Sequence, residues 1–279
     1  MNPLLQSFES QSIIWILISV GMGGLLAKCS EFLFVQVAGP RYRRKKEARA
    51  LLKRYSCPIL KAADSLDRRV QGMIDYIDKN EFNDPEDDYY RLSTLYVFGR
   101  YFGWCQILES QTFLEFELSN IEEKRFNKCF YRVFKGINSS YYFDDLNEDE
   151  MSSVKAATVP RFAHTAIGEL MIEKSDGTAE PAVIEFTKFT QEYENSPSFK
   201  KWFSYLENML AEVKKSEENA HWNRLVVFAI NLRLFISYLD PKNRLTAPRK
   251  IHYLEYLHPK VRERVCKELE KAGFSHLIE

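Results

Sequence analysis

The sequence predicts a mostly α protein: an N-terminal transmembrane helix followed by a multi-helix cytoplasmic domain with at most a short β-hairpin. Three observations predict it. An uncharged apolar run near the start of the chain ends in a burst of positive charge. Much of the remainder repeats apolar residues every three or four positions, and only one turn-like tetrapeptide lies between runs that read as strands. Within 279 residues, 45% hydrophobic and 14% aromatic, there is material for a sizeable core.

Ile13 to Ala27 contains no charge. As a helix that run covers only about 22 Å, against a hydrocarbon core of about 30 Å. Continued through Lys28 and Glu31 to Val35, it reaches about 34 Å. Lys28 and Glu31 then lie one turn apart near the headgroups, where a lysine stem can snorkel, and Gly39-Pro40 is the expected stop. A cleaved signal fits less well, because the residues before the run hold Glu9 and no Lys or Arg. A buried core helix has the right length but does not account for "RYRRKK" immediately after it.

Residues 41–54 carry Arg41, Arg43, Arg44, Lys45, Lys46, Arg49, Lys53 and Arg54 against Glu47 alone, whereas the chain from 55 onward holds 30 Lys or Arg against 36 Asp or Glu. Positive charge beside a span marks the cytoplasmic flank. The expected organisation is therefore a short outside N-terminus and anchor over 1–40, a basic juxtamembrane helix over 41–56 and a helical cytoplasmic domain over 57–279, in a single-pass protein of the inner or plasma membrane. Arg41, Arg43, Arg44, Lys45 and Lys46 are the expected membrane-surface contact, each worth on the order of 1 kcal/mol near anionic headgroups. Nucleic acid is not an expected partner, since only Tyr42 interleaves the strip and no recognition motif follows.

In the cytoplasmic part, Ile59, Ala63, Leu66, Val70, Met73 or Ile74, and Ile77 predict a helix over 58–78, with Pro58 in its first turn. "NEFNDPEDD" breaks it. A second helix is predicted from 89 to about 115, with Gly99 and Gly103 four apart where another helix can approach closely, and a third over 121–137. Between 161 and 187, a helix and then a short hairpin about Ser175-Asp176-Gly177-Thr178 is the reading, with Gly168–Glu173 and Ala182–Phe186 as the strand candidates. Helices are predicted at about 198–215, at 219–239 before Asp240-Pro241, and at 259–272 between Pro259 and Gly273.

Chemical motifs are sparse. Cys29, Cys57, Cys105, Cys129 and Cys266 stand singly, without C-x-x-C spacing, as in a reducing compartment. Phosphate-loop, dinucleotide, nucleophile-elbow and H-E-x-x-H motifs are missing from the sequence. Asp145, Asn147 and Asp149 occupy the first positions of a calcium loop, but Glu150 replaces its glycine and Ala156 its bidentate glutamate. No catalytic residue, metal ligand or cofactor is therefore assigned. Tyr101 and Trp104 read as core aromatics. Glu169, inside an apolar run, is the carboxylate expected to be buried, and a buried carboxylate must be paired or neutral.

"YSCPILKAADSLDRRV" (55–70), "LYVFGRYFGWCQIL" (95–108) and "AIGELM" (166–171) together resemble a family of uncharacterised, mostly helical bacterial and fungal proteins, often with an N-terminal membrane segment. Its pattern runs Tyr-x-Asp-Pro-Leu-Leu-x-Ala-Ala-x-Asp-Leu-Gln-x-Arg, then Tyr-x-Gly-Trp-x-Glu-Ile, then Arg-Gly-Glu-Gln-Arg-Ala-Ile-Gly-Glu. Tyr55, Pro58, Leu60, Ala62, Ala63, Leu66 and Arg69 fit the first motif, while Cys57, Ser65 and Asp67 depart from it. Arg161, Ala166, Ile167, Gly168 and Glu169 fit the third, in which Ala163, His164 and Thr165 replace Glu-Gln-Arg. Arg69 and Glu169, retained polar residues in apolar stretches, are the expected buried pair. The functional expectation is an interaction or scaffold module anchored in the bilayer, with a protein partner or a second copy of itself. The alternative is a membrane-tethered enzyme on a small or lipid-linked substrate.

Overall fold

A computed structural model of the chain describes residues 39–79, 81–84, 88–112, 121–152, 157–173, 180–247 and 253–274. Contacts divide the chain into Met1–Leu52 and Lys53–Glu279. Of the first unit only the helical segment from Gly39 onward is described. The span expected within 13–35 lies outside the described residues, among which no helix is long and apolar enough to cross a membrane.

The described residues form eight α-helices and no strand. They are α1 (Gly39–Asp75), α2 (Asp88–Thr112), α3 (Ile121–Asn138), α4 (Arg161–Leu170), α5 (Phe186–Asn195), α6 (Pro197–Ala211), α7 (Ala220–Leu239) and α8 (Pro259–Lys271).

α1 corrects the expectation that Pro58 opens a helix, because Pro58 lies inside it. Proline has no N–H, so the Arg54 carbonyl loses its helical donor at a cost of about 3 kcal/mol or more. The buried stripe Tyr55, Ile59, Ala63, Leu66, Val70 and Ile74 continues across the proline. At roughly 1.5–3 kcal/mol for each large side chain buried, that stripe outweighs the missing bond.

α7 runs through the middle of the second unit. Every residue from Ala220 to Ile236 is buried, so it has no solvent face to lend it an amphipathic pattern. Asn219 starts it by accepting from the Trp222 N–H at 2.7 Å. Gly136 of α3 lies against the Phe228 backbone so closely that a Cβ there would fall 2.7 Å from it. Phe98 of α2 stacks on Phe228 with ring centroids 5.5 Å apart.

α4, α5 and α6 pack on α2. Gly168 brings α4 against the Phe102 carbonyl, where a Cβ would stand at 2.8 Å, and a Cβ on Gly99 would meet the Phe203 ring of α6 at 2.9 Å. The expected close approach at Gly99 is therefore to α6. α5 is a helix the sequence reading missed; its Phe189 and Tyr193 are buried, and Phe189 lies 5.3 Å from Phe203. The turn of the expected hairpin lies outside the described residues; beside it, among the described residues, stands one antiparallel bridge, Ile172 with Val183, flanked by Glu173 N–H to Ala182 O at 2.8 Å and Ile184 N–H to Met171 O at 2.9 Å.

α8 matches its predicted ends. Pro259 occupies the first turn, and Gly273 takes φ +79°. Phe274 N–H to Leu269 O at 3.0 Å and Gly273 N–H to Glu270 O at 2.9 Å complete a Schellman motif.

Candidate functional site

Of the expected buried pair, Arg69 lines a cleft. Its guanidinium lies 4.7 Å from the centroid of the Tyr90 ring and donates to Thr94 Oγ1 at 3.3 Å, both on α2. Glu169 is exposed on α4, whose inward residues are Ala163, Ile167 and Gly168, and it forms no ion pair with Arg69. The expected pair is thus not formed. Arg41, Arg43, Arg44, Lys45 and Lys46 all lie on α1, and the side chain of Lys46 is exposed.

Among the described residues the most deeply buried ion pair is a different one. Asp67 of α1 meets Arg233 of α7 with side chains 1% and 5% exposed. Asp67 shares a stripe with Leu60, Ala63, Val70 and Ile74, so helical spacing alone was enough to point it inward. Two further ion pairs join the helices. Arg91 of α2 binds Glu207 of α6 at 2.5 Å, whose other oxygen accepts from the Tyr193 hydroxyl at 2.7 Å. Burial raises the Tyr193 pKa, and the Glu207 carboxylate adds to the rise. Arg132 of α3 meets Glu268 of α8 at 2.8 Å.

Arg224, 1% exposed on α7, donates to Ser139 O at 2.8 Å just beyond the end of α3 and lies over the Phe143 ring at 4.2 Å. Burial lowers its pKa to about 10, which leaves it charged at neutral pH. A cation there complements the carbonyl end of α3. His164 stacks on Phe134 with centroids 4.5 Å apart, and its buried Nδ1 has no hydrogen-bond partner. Burial, aided by Arg161, pulls its pKa down to about 4.

The cleft that takes in Arg69 has a volume of about 720 Å³, within the range of small-molecule sites. One face of α1 supplies Lys61, Ser65, Arg68, Arg69 and Gly72, with Tyr76 just beyond its end; α2 supplies Tyr90, Val97 and Arg100. Leu245 and Thr246 form the third wall. That wall is held by Asp240, whose carboxylate accepts from the N–H groups of Arg244, Leu245 and Thr246 at 2.9, 2.8 and 3.0 Å. Partial burial pushes the Asp240 pKa up, but these bonds outweigh it and hold the group below the usual carboxylate range. Four cations therefore line the cleft against one carboxylate, Asp64, which already accepts from Arg68 at 3.0 and 2.5 Å.

The acidic loop at 144–150 is tied to α8: Asp145 pairs with Arg264, and Glu150 with Lys260. Among the described residues no group of three or more His, Cys, Asp or Glu is placed to hold a metal ion. Comparison with known protein families, with curated proteins and with solved structures found no match to the chain.

Proposed function

We propose that the chain is a single-pass, membrane-anchored helical interaction module, with a short N-terminus outside and residues 41–279 on the cytoplasmic face of the inner or plasma membrane. One observation carries the reading. The helix that bears the basic strip, α1, also supplies the core stripe from Tyr55 to Ile74, so strip and helical body share one element. Positive charge concentrated beside an apolar run, on a chain otherwise slightly acidic, is the pattern a cytoplasmic membrane flank requires. A protein partner or a second copy of the chain completes the module.

The alternative, a membrane-tethered enzyme on a small or lipid-linked substrate, draws on the cleft at Arg69. The carboxylate that lines that cleft, Asp64, is engaged by Arg68, which supports binding there rather than proton transfer.

Sedimentation tests the anchor. The full chain, expressed without detergent, should pellet with membranes and resist alkaline carbonate, and neutralising Arg41, Arg43, Arg44, Lys45 and Lys46 to Gln should scramble its orientation while leaving it in the pellet. A wild-type chain that stays in the supernatant overturns the reading.

A further inference from the structure

We infer that the cleft between α1 and α2 is a binding site for a phosphomonoester. Its charge is the first argument. Lys61, Arg68, Arg69 and Arg100 face a single carboxylate, leaving a local excess of about three positive charges in a concave site, where low-dielectric walls focus the field.

The state of the donors is the second argument. Arg100 makes no hydrogen bond or ion pair within the described residues; it acts on the Tyr96 hydroxyl, where burial raises the pKa and Arg100 opposes that rise. Glu185 acts on the same hydroxyl but does not line the cleft. Arg69 is held by the Tyr90 ring and Thr94, so its planar fork is ordered before any ligand arrives. A dianionic phosphate with three acceptor oxygens matches such forks in both charge and number; a carboxylate, with one charge, leaves most of the excess in place.

Shape is the third. Tyr76, Val97 and Leu245 line the cleft together with the cations, with Tyr76 and Leu245 themselves 60% and 66% exposed, so the organic part of the ester has apolar surface to cover. Gly72 lines the same wall, and a Cβ built there meets nothing within 4 Å. The site takes the phosphate of either a soluble monoester or a lipid headgroup such as phosphatidic acid. It does not depend on the membrane placement proposed above, because a chain that failed to sediment would still bind a soluble monoester.

The test uses the full chain in nanodiscs of phosphatidylcholine, titrated with phenyl phosphate by calorimetry. Wild type should bind with a dissociation constant below about 1 mM. Arg100→Gln should weaken binding about tenfold or more, because it removes a charged donor. Gly72→Leu should weaken it by narrowing the cleft, Gly72→Ala should retain it, and Lys128→Gln, in a second basic cleft beside α3, should leave it within about twofold. Circular dichroism confirms that the variants are folded. Phosphatidic acid added to the nanodiscs should compete with phenyl phosphate if the natural source is a headgroup; lack of competition assigns the site to a soluble monoester. No binding by wild type, or unchanged binding in both Arg100→Gln and Gly72→Leu, overturns the inference.

Discussion

His164 and the Asp67–Arg233 pair are where single side chains decide the behaviour of the helical body. His164 has a folded pKa of about 4 against an ordinary histidine value of 6.5, through burial and the nearby Arg161. As pH falls from 6.5 toward 4 the unfolded chain takes up the proton first, so stability is lost across that window and the loss levels off below it. At about 1.4 kcal/mol per unit the ceiling is about 3 kcal/mol, and the part-exposed ring reduces it to roughly 1–2 kcal/mol. His164→Phe, which keeps the stack on Phe134, should flatten this dependence in urea unfolding at pH 7 and 4.5; an unchanged slope would show that the imidazole is not the group concerned. For the buried pair, Asp67→Leu or Arg233→Met alone should cost about 3–5 kcal/mol by removing one partner of a buried charge, while the two together should recover most of it. Additive losses in that double-mutant cycle would show that the two side chains are uncoupled.

Helix contacts in the body are set by where a backbone can come close. Gly136→Ala places a methyl 2.7 Å from the Phe228 backbone and should destabilise by about 1–3 kcal/mol, whereas Gly72→Ala, with open space around it, should stabilise by roughly 0.5–1 kcal/mol. Equal effects in thermal unfolding would contradict the α3–α7 contact. Elements with marked ends or a clear apolar stripe were legible in the sequence: α8 between Pro259 and Gly273, α7 between Asn219 and Asp240, and α3 through its inward Phe130, Val133 and Ile137. α5 was not, because the β-branched Val183 and Ile184 just before it imitate a strand and obscure the helical spacing of Phe186, Phe189 and Tyr193. Nor was the full burial of α7 legible, since Arg224 and Arg233 are residue types that sequence alone assigns to the surface, and both are buried here. Of the candidate site, Arg69 could be read as a polar residue in an apolar stretch; its neighbours Arg100, Leu245 and Thr246 come from segments whose meeting no local pattern encodes.

For the whole molecule, the two halves of the proposal rest on different parts of the chain. The helical body is described from Lys53 onward, with a core gathered around α7. The anchor rests on the charge pattern of residues 13–54. The membrane orientation joins them and is the central claim. Cys57 is an exposed free thiol, while Cys105 and Cys129 are buried. With Cys29 and Cys266 replaced by Ser, a membrane-impermeant maleimide therefore reports on the side of the membrane that holds the body. The measurement is labelling of that variant in sealed vesicles of both orientations: the account predicts modification of Cys57 in inverted vesicles and protection in right-side-out ones. Labelling in right-side-out vesicles, or a chain that remains in the detergent-free supernatant, would contradict it.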